Sequence, residues 1–375
     1  MGIKRVIIVG AGITGLTLAQ RFADETDKRV LIVEKRDHIG GNCYDFVNKK
    51  GILVSKYGPH IFHTNEKKVW EYIKKFSKWK KYEHRVLSSV KGNLVPIPVN
   101  IDTINNLFNA HLRNGKEMEK WLEKKKINMN GLPSNSREVV TSKLGKEIYK
   151  LLFRGYTKKQ WDNWPEELEP EILMRIPIRY SYDDRYHVDK YQYQPIGGFT
   201  KMMKRMIKNP KIELRLKTDY FDIYDQFSKK NMVIFTGPVD EYVSRIIGRK
   251  MKLSYRSIKF VWRNFDREYF QPTGVINYPS MKNKVVRITE YKHLTGQKHP
   301  YTTISKEFFK WGGEPYYPVL TPENRQKYNE IEKITKKIKG VYFVGRLGRY
   351  KYLNMDTAIK EALELFEKIF IERIE

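Results

Sequence analysis

An α/β fold that opens on a βαβ unit, carries an inserted helical subdomain and an antiparallel β-sheet domain, and returns late to its first sheet is predicted by three features of the sequence. A short β-branched strand, Arg5 to Val9, runs straight into glycines and an apolar-periodic helix from Leu16 to Phe22. A polar, lysine-rich stretch from Asn100 to Trp161 keeps helical spacing through Leu107, Leu112, Met118, Trp121 and Leu122. Two late strand-like runs, Met232 to Phe235 and Val341 to Val344, each run into glycine.

Taken in order, Val30 to Val33 supplies the second strand of the opening unit. Glu171 to Tyr193 and Leu253 to Tyr301 alternate aromatic and β-branched residues with turn residues, which predicts antiparallel strands. Asp356 to Ile371 reads as an amphipathic helix. The domains expected are a discontinuous first domain of residues 1–85, 195–250 and 335–375, a helical subdomain over 100–165, and an antiparallel sheet domain drawn from 86–99, 166–194 and 251–334. Length agrees, since 375 residues suit two or three domains.

Composition narrows the function classes. No apolar run reaches the ~20 residues of a bilayer span, and the apolar N-terminus leads into a motif the fold needs rather than a cleavage site, so no signal peptide is expected. The lone cysteine, Cys43, offers neither a disulfide nor a metal cluster, and the cytoplasm is the expected compartment. The 72 Lys and Arg against 43 Asp and Glu leave +29. Those lysines are scattered through every segment rather than gathered on one stripe with aromatics, which argues against nucleic acid as partner and for a solvated basic surface.

Gly10-Ala11-Gly12-Ile13-Thr14-Gly15 is a GxGxxG that follows a strand and opens a helix, with Glu34 closing the next strand. In that context it is the Rossmann fingerprint: the glycines admit a pyrophosphate to the helix N-terminus, and the acid faces a ribose diol. A second glycine pair follows in Ile39-Gly40-Gly41-Asn42, and Pro195-Ile196-Gly197-Gly198-Phe199 opens another helix. A longer dinucleotide needs more backbone donors, so FAD is favoured over NAD.

Further segments follow in order: Lys56-Tyr57-Gly58-Pro59-His60-Ile61-Phe62-His63-Thr64-Asn65, Gly155-Tyr156-Thr157-Lys158-Lys159-Gln160-Trp161, Arg175-Ile176-Pro177, Thr236-Gly237-Pro238, Glu314-Pro315-Tyr316-Tyr317-Pro318 and Gly345-Arg346-Leu347. On these segments the chain resembles the UDP-galactopyranose mutases of prokaryotic type along essentially its full length. The resemblance implies an isomerase that interconverts UDP-galactopyranose and UDP-galactofuranose with reduced FAD, flavin N5 forming an adduct with the sugar. It further implies a homodimer and an electron donor for the flavin, NADPH or a reductase.

Site residues follow partly from chemistry and partly from the resemblance. Arg175 and Arg287 suit a diphosphate, since a guanidinium pairs two oxygens and stays charged. Tyr156 and Trp161 suit stacking on a base. The resemblance places Phe153, Tyr156, Thr157, Trp161 and Asn277 near the nucleotide, with Trp161 on a mobile loop, and gives Tyr186, Tyr317 and Tyr352 hydroxyls that orient the diphosphate or sugar. His84 stands where some members have asparagine, and Asn354 where many carry aspartate; both are substrate candidates. His60 is expected against the flavin ring. The cofactor set is then Gly10, Gly12, Ile13, Thr14, Gly15, Glu34, Lys35, Gly41, Asn42, His60, Ile61, Leu214, Arg346, Asn354, Met355 and Asp356. His60 and His63 have the spacing of a metal pair, but no third ligand is evident nearby in the sequence, and no metal is expected. Other readings are a mutase of UDP-N-acetylgalactosamine or UDP-arabinose, or an FAD-dependent amine oxidase or desaturase.

Overall fold

The structure, a computed structural model, describes residues 5–174, 177–227 and 231–371. Its first sheet is parallel throughout, in the order Ile212–Arg215, Val30–Val33, Val6–Val9, Met232–Phe235, Val341–Phe343. The strand Val6–Val9 reads VIIV with every residue buried, as a parallel strand covered on both faces must. Ile8 and Ile32 face a core formed with the helices Ile13–Glu25, Phe199–Met206 and Met355–Ile371, while Ile7, Val9 and Leu31 face a second cluster around Tyr220, Phe235 and Tyr242. Met355–Ile371 packs Ala358, Ile359, Ala362, Leu363 and Phe366 inward, which bears out the amphipathic reading.

The second sheet has seven strands, ordered Tyr317–Pro318, Tyr255–Phe265, Thr302–Trp311, Arg287–Glu290, Val275–Asn277, Val86–Val90, Asn93–Ile97. It is antiparallel except where Val275–Asn277 runs parallel to Val86–Val90. Against it packs the helical part of the chain, whose helices Ile101–Phe108, Gly115–Glu123 and Ser136–Ile148 are each capped by an asparagine side chain: Asn100, Asn114 and Asn135. Ile104, Met118, Leu122, Val140 and Trp161 share one core with Val86, Val95 and Val275 of the sheet.

One expectation is corrected. Glu171 to Tyr193 does not form a run of strands: it holds the short helix Glu171–Met174, irregular chain, and the start of the strand Tyr191–Pro195, which joins Phe62–Thr64 and Trp79–Lys81 in a small antiparallel sheet. Pro170 and Pro177 withhold ladder donors, and Tyr180 and Tyr182 lie half-exposed, so no sheet face claims them.

Candidate active site

Two adjoining cavities lie between these sheets. The first is lined by Gly10, Gly12, Ile13, Thr14, Glu34, Lys35, Gly41 and Asn42 from the glycine-rich turns, and by His60, Arg346, Asn354 and Met355. No side chain caps the N-terminus of the helix Ile13–Glu25, so its leading N–H groups are left for a ligand. Gly12 and Gly41 face each other so closely that a Cβ on Gly41 would lie 3.0 Å from the Gly12 Cα. Two bare backbone stretches thus flank the cavity, as an extended diphosphate requires. The Glu34 carboxylate is 6% exposed and accepts hydrogen bonds from the N–H groups of Ala11 (2.8 Å) and Arg36 (2.9 Å), which locks both turns while its remaining lone pairs line the cavity. These features fit the nucleotide portion of a flavin dinucleotide.

The second cavity gathers Phe153, Tyr156, Thr157, Trp161, His84, Tyr186, Asn277, Arg287, Tyr317 and Tyr352, together with Ile61 and Asp356. His60, Arg346, Asn354 and Met355 line both cavities and therefore mark where the two meet. Strand register positions the central cation: Arg287 lies opposite Asn277 on one side and Glu307 on the other, so the three side chains share a sheet face. Glu307, 0% exposed, accepts from Arg287 Nε at 2.9 Å. Burial works against the guanidinium's charge, but the Glu307 carboxylate and, once ionised, the hydroxyls of Tyr156, Tyr317 and Tyr352 hold its pKa well above the ordinary arginine value. Tyr317 and Tyr352 stack with centroids 5.5 Å apart at 7°, Trp161 meets both edge-on, and the Arg346 guanidinium lies over both rings. Burial pushes the Tyr156 and Tyr317 hydroxyls up to about 12, so both remain protonated donors near neutrality.

Three of the four histidines that line the cavities, His60, His84 and His187, are neutral. Burial, then Arg346, lowers His60 to about 4; burial, then Arg287, lowers His84 to about 3; burial, then His63 and His84, lowers His187 to about 2. His60 Nδ1 lies 3.1 Å from the Gly58 carbonyl, which only accepts, so Nδ1 carries the proton and Nε2 is left as an acceptor. In the unfolded chain these groups titrate near ~6.5. Below that pH the unfolded state takes up protons that the folded state refuses, so stability is full above ~6.5 and falls as pH drops, by up to about 1.4 kcal/mol per group per pH unit. Urea denaturation is expected to show a clearly lower midpoint at pH 5 than at pH 7.5; equal midpoints would contradict the neutral assignment.

Several expected residues sit elsewhere than expected. Arg175 lies outside the described residues. Leu214 packs half-buried against the first core, because alternate residues of its edge strand turn inward, and Thr218 to Phe221 line the first cavity instead. Gly15 lines neither cavity; it lets the helix sit against the Gly10 carbonyl. Ile61 and Asp356 line the second cavity rather than the first. Trp161 is not on a loop: it ends the helix Gly155–Trp161, is 1% exposed, and is followed by Asp162 in the left-handed conformation. Arg256 donates to the Gln160 carbonyl and Trp311 donates to Asp162, which holds this helix end in place.

Some cavity residues were not found in the sequence. Arg36, bridged to Glu314 at 2.9 Å, lines the first cavity, and Arg179, His187 and Asp189 line the second. Their only sequence signal is proximity to predicted positions, Arg36 to Glu34 and His187 to Tyr186. The fold also brings His187 and Asp189 to His63, with ligand-type atoms within 4.8 Å of one another, a juxtaposition that spacing alone did not show. The His63 and His187 rings stack 3.5 Å apart at 14°, so their nitrogen lone pairs lie in parallel planes instead of converging, and His63 Nδ1 is taken by Asp189 at 2.8 Å. The cluster is a hydrogen-bonded wall at one end of the cavity.

Comparison with known proteins agrees with this geometry. Residues 151–352 match the family model for UDP-galactopyranose mutase, and residues 8–76 match that of an NAD(P)-binding Rossmann-like domain. The chain is 34% identical over 370 residues to the dTDP-fucopyranose mutase of Escherichia coli, covering 96% of this chain and 97% of the relative. It is 33% identical over 381 residues to the UDP-galactopyranose mutase of Mycoplasma genitalium, covering 94% and 92%. The fold matches a crystal structure of reduced UDP-galactopyranose mutase with a TM-score of 0.78 at 15% identity, covering 100% of this chain and 95% of the other. A match over more than half the chain by the family model, and relatives this similar from end to end, place the chain in the UDP-galactopyranose mutase family, a family of isomerases for which a flavin is the implied cofactor.

Proposed function

We propose that this chain interconverts UDP-galactopyranose and UDP-galactofuranose with FAD held, reduced, in the first cavity. The observation that carries this reading is the meeting of the two cavities at His60, Arg346, Asn354 and Met355: a dinucleotide held along the glycine turns would have these residues between it and the Arg287 pocket. Reduced flavin supplies, when bound, a nucleophilic nitrogen for the anomeric carbon.

The remaining work falls to the protein. Arg287, kept charged by Glu307, stabilises the diphosphate as its bond to the sugar breaks, with Arg175 as the second clamp in this reading. Tyr156 and Trp161 hold the base, and the Tyr317 and Tyr352 hydroxyls orient the diphosphate. His60, neutral near pH 7, shapes the junction without donating a charge. The buried Trp161 keeps out water that would trap an opened sugar.

The test is redox control: anaerobic protein reduced with dithionite is expected to convert UDP-galactofuranose to UDP-galactopyranose, and the oxidised protein to leave it unchanged. Equal turnover in both states would refute the mechanism. The reading includes NADPH or a reductase as electron donor, a homodimer, and the cytoplasm, which the single cysteine suits. The near-equal identity to a dTDP-fucopyranose mutase supports a second reading, in which another nucleotide sugar is preferred. A panel of UDP-galactose and dTDP-fucose ranked by kcat/KM separates the two.

A further inference from the structure

Lys159 lies on the helix Gly155–Trp161, and its side chain leaves the cavity that its neighbours line. Its Nζ donates to the carbonyl of Tyr278 and lies within hydrogen-bond distance of three more, Ser280 (3.1 Å), Asn283 (2.9 Å) and Val285 (2.9 Å). An ammonium has three donors, so four carbonyls share it as they would share a small cation. Among the described residues no carboxylate pairs with it. The cost of that burial shows in its proton affinity, pushed down to about 8.

All four carbonyls belong to the loop that joins the strands Val275–Asn277 and Arg287–Glu290. That loop closes directly on the register pair Asn277 and Arg287, and Tyr278 N–H bonds the Val286 carbonyl just beyond it. One turn earlier on the same helix face, Gly155 approaches so closely that a Cβ there would stand 2.4 Å from the Pro279 carbonyl. The helix therefore grips the loop at two points while Tyr156, Thr157 and Trp161 face the cavity. Neutral packing would let helix and hairpin slide. A half-buried charge surrounded by carbonyls resists sliding, because any displacement leaves the ammonium short of partners.

We propose that Lys159 is a positioning residue that fixes the base-stacking helix to the Asn277–Arg287 hairpin, so that the two walls of the substrate cavity hold the nucleoside diphosphate as one unit. The inference rests on the proposed nucleotide-sugar site. Calorimetric binding of UDP to the flavin-loaded protein tests it. Lys159→Met is expected to keep its flavin but to bind UDP about tenfold to hundredfold more weakly, with a matching rise in KM for UDP-galactofuranose, since hydrogen bonds from a charged group are stronger than neutral ones. Lys159→Arg is expected to recover part of that loss. In an Arg287→Ala/Glu307→Gln background, which leaves no unpaired buried acid, the same Lys159→Met change should cost less than half as many decades in Kd, because the cation on the hairpin wall is gone.

An undiminished effect in that background, or wild-type UDP affinity in Lys159→Met, overturns the proposal. Should Lys159→Met fail to fold, Lys159→Gln, which keeps donors without the charge, carries the same comparisons. Failure of the wild-type protein to bind UDP would instead refute the site reading itself.

Discussion

Arg287→Ala is expected to lose about 10³-fold in kcat/KM and, separately, to destabilise the fold by roughly 3–5 kcal/mol. The first loss follows from the proposed reaction, in which the departing diphosphate gains negative charge beside Arg287; removing one preorganised donor from such a group costs on the order of 10²–10³ in rate, with weakened binding in addition. The second follows from Glu307, which is 0% exposed and has Arg287 as its charged partner. Burial already raises the Glu307 carboxyl against the pull of Arg287. Without that arginine the folded form holds a proton that the unfolded chain releases above ~4.3. The Glu307 contribution to the variant's stability is then greatest below that pH and declines as pH rises, opposite in sign to that of the histidines. Adding Glu307→Gln removes the buried acid, and is expected to restore stability and remove the decline toward high pH while activity stays lost. Urea melts of the single and double variants between pH 4.5 and 8, with kcat/KM measured alongside, check both halves. A single variant with wild-type stability at pH 8 would show that Glu307 does not depend on Arg287.

Gly12→Ala is expected to fold and lose flavin, whereas Gly15→Ala is expected to lose the fold of the first domain. Gly12 has an ordinary φ of −78°, and the nearest atom to a Cβ there is the Gly41 Cα at 3.9 Å, so the protein itself has room for the methyl. That room is the cavity. A methyl between the two glycine turns occupies space that a diphosphate needs, and overpacking of this kind costs about 1–3 kcal/mol, or about tenfold to hundredfold in affinity. At Gly15 a Cβ would stand 2.1 Å from the Gly10 carbonyl oxygen and 3.1 Å from the Ile8 side chain, and the backbone it meets cannot swing aside as a flexible side chain would. Flavin absorbance per polypeptide and far-ultraviolet circular dichroism separate the outcomes. A Gly12→Ala protein that stays fully yellow would place the cofactor elsewhere.

The parallel sheet was legible in advance because its strands are written as continuous buried runs, VIIV and MVIF, that end on glycine, a local pattern with few alternatives. Glu34 was equally legible, since the fingerprint sets its distance along the chain. The segment Glu171 to Tyr193 was misread because aromatic alternation is shared by half-buried strands and by irregular chain that lines a cavity, and only the neighbours distinguish them. Leu214 was misread because a residue on an edge strand can face a ligand or a core without any change in its own sequence. The helical end at Trp161 depends on Arg256 and Trp311, each far away in the chain.

By itself the sequence determined a dinucleotide cradle, because glycines, a helix start and an acid act on one another within a few dozen residues. Its order of motifs also carried the family. Only the tertiary structure decided which of many tyrosines and arginines share a cavity, that Glu307 keeps Arg287 charged, that Lys159 ties helix to hairpin, and that His187 and Asp189 meet His63. Those are contacts across sheet registers and between segments far apart in the chain. Burial, which sets both the charge state and the energetic weight of each group, exists only once the chain has folded.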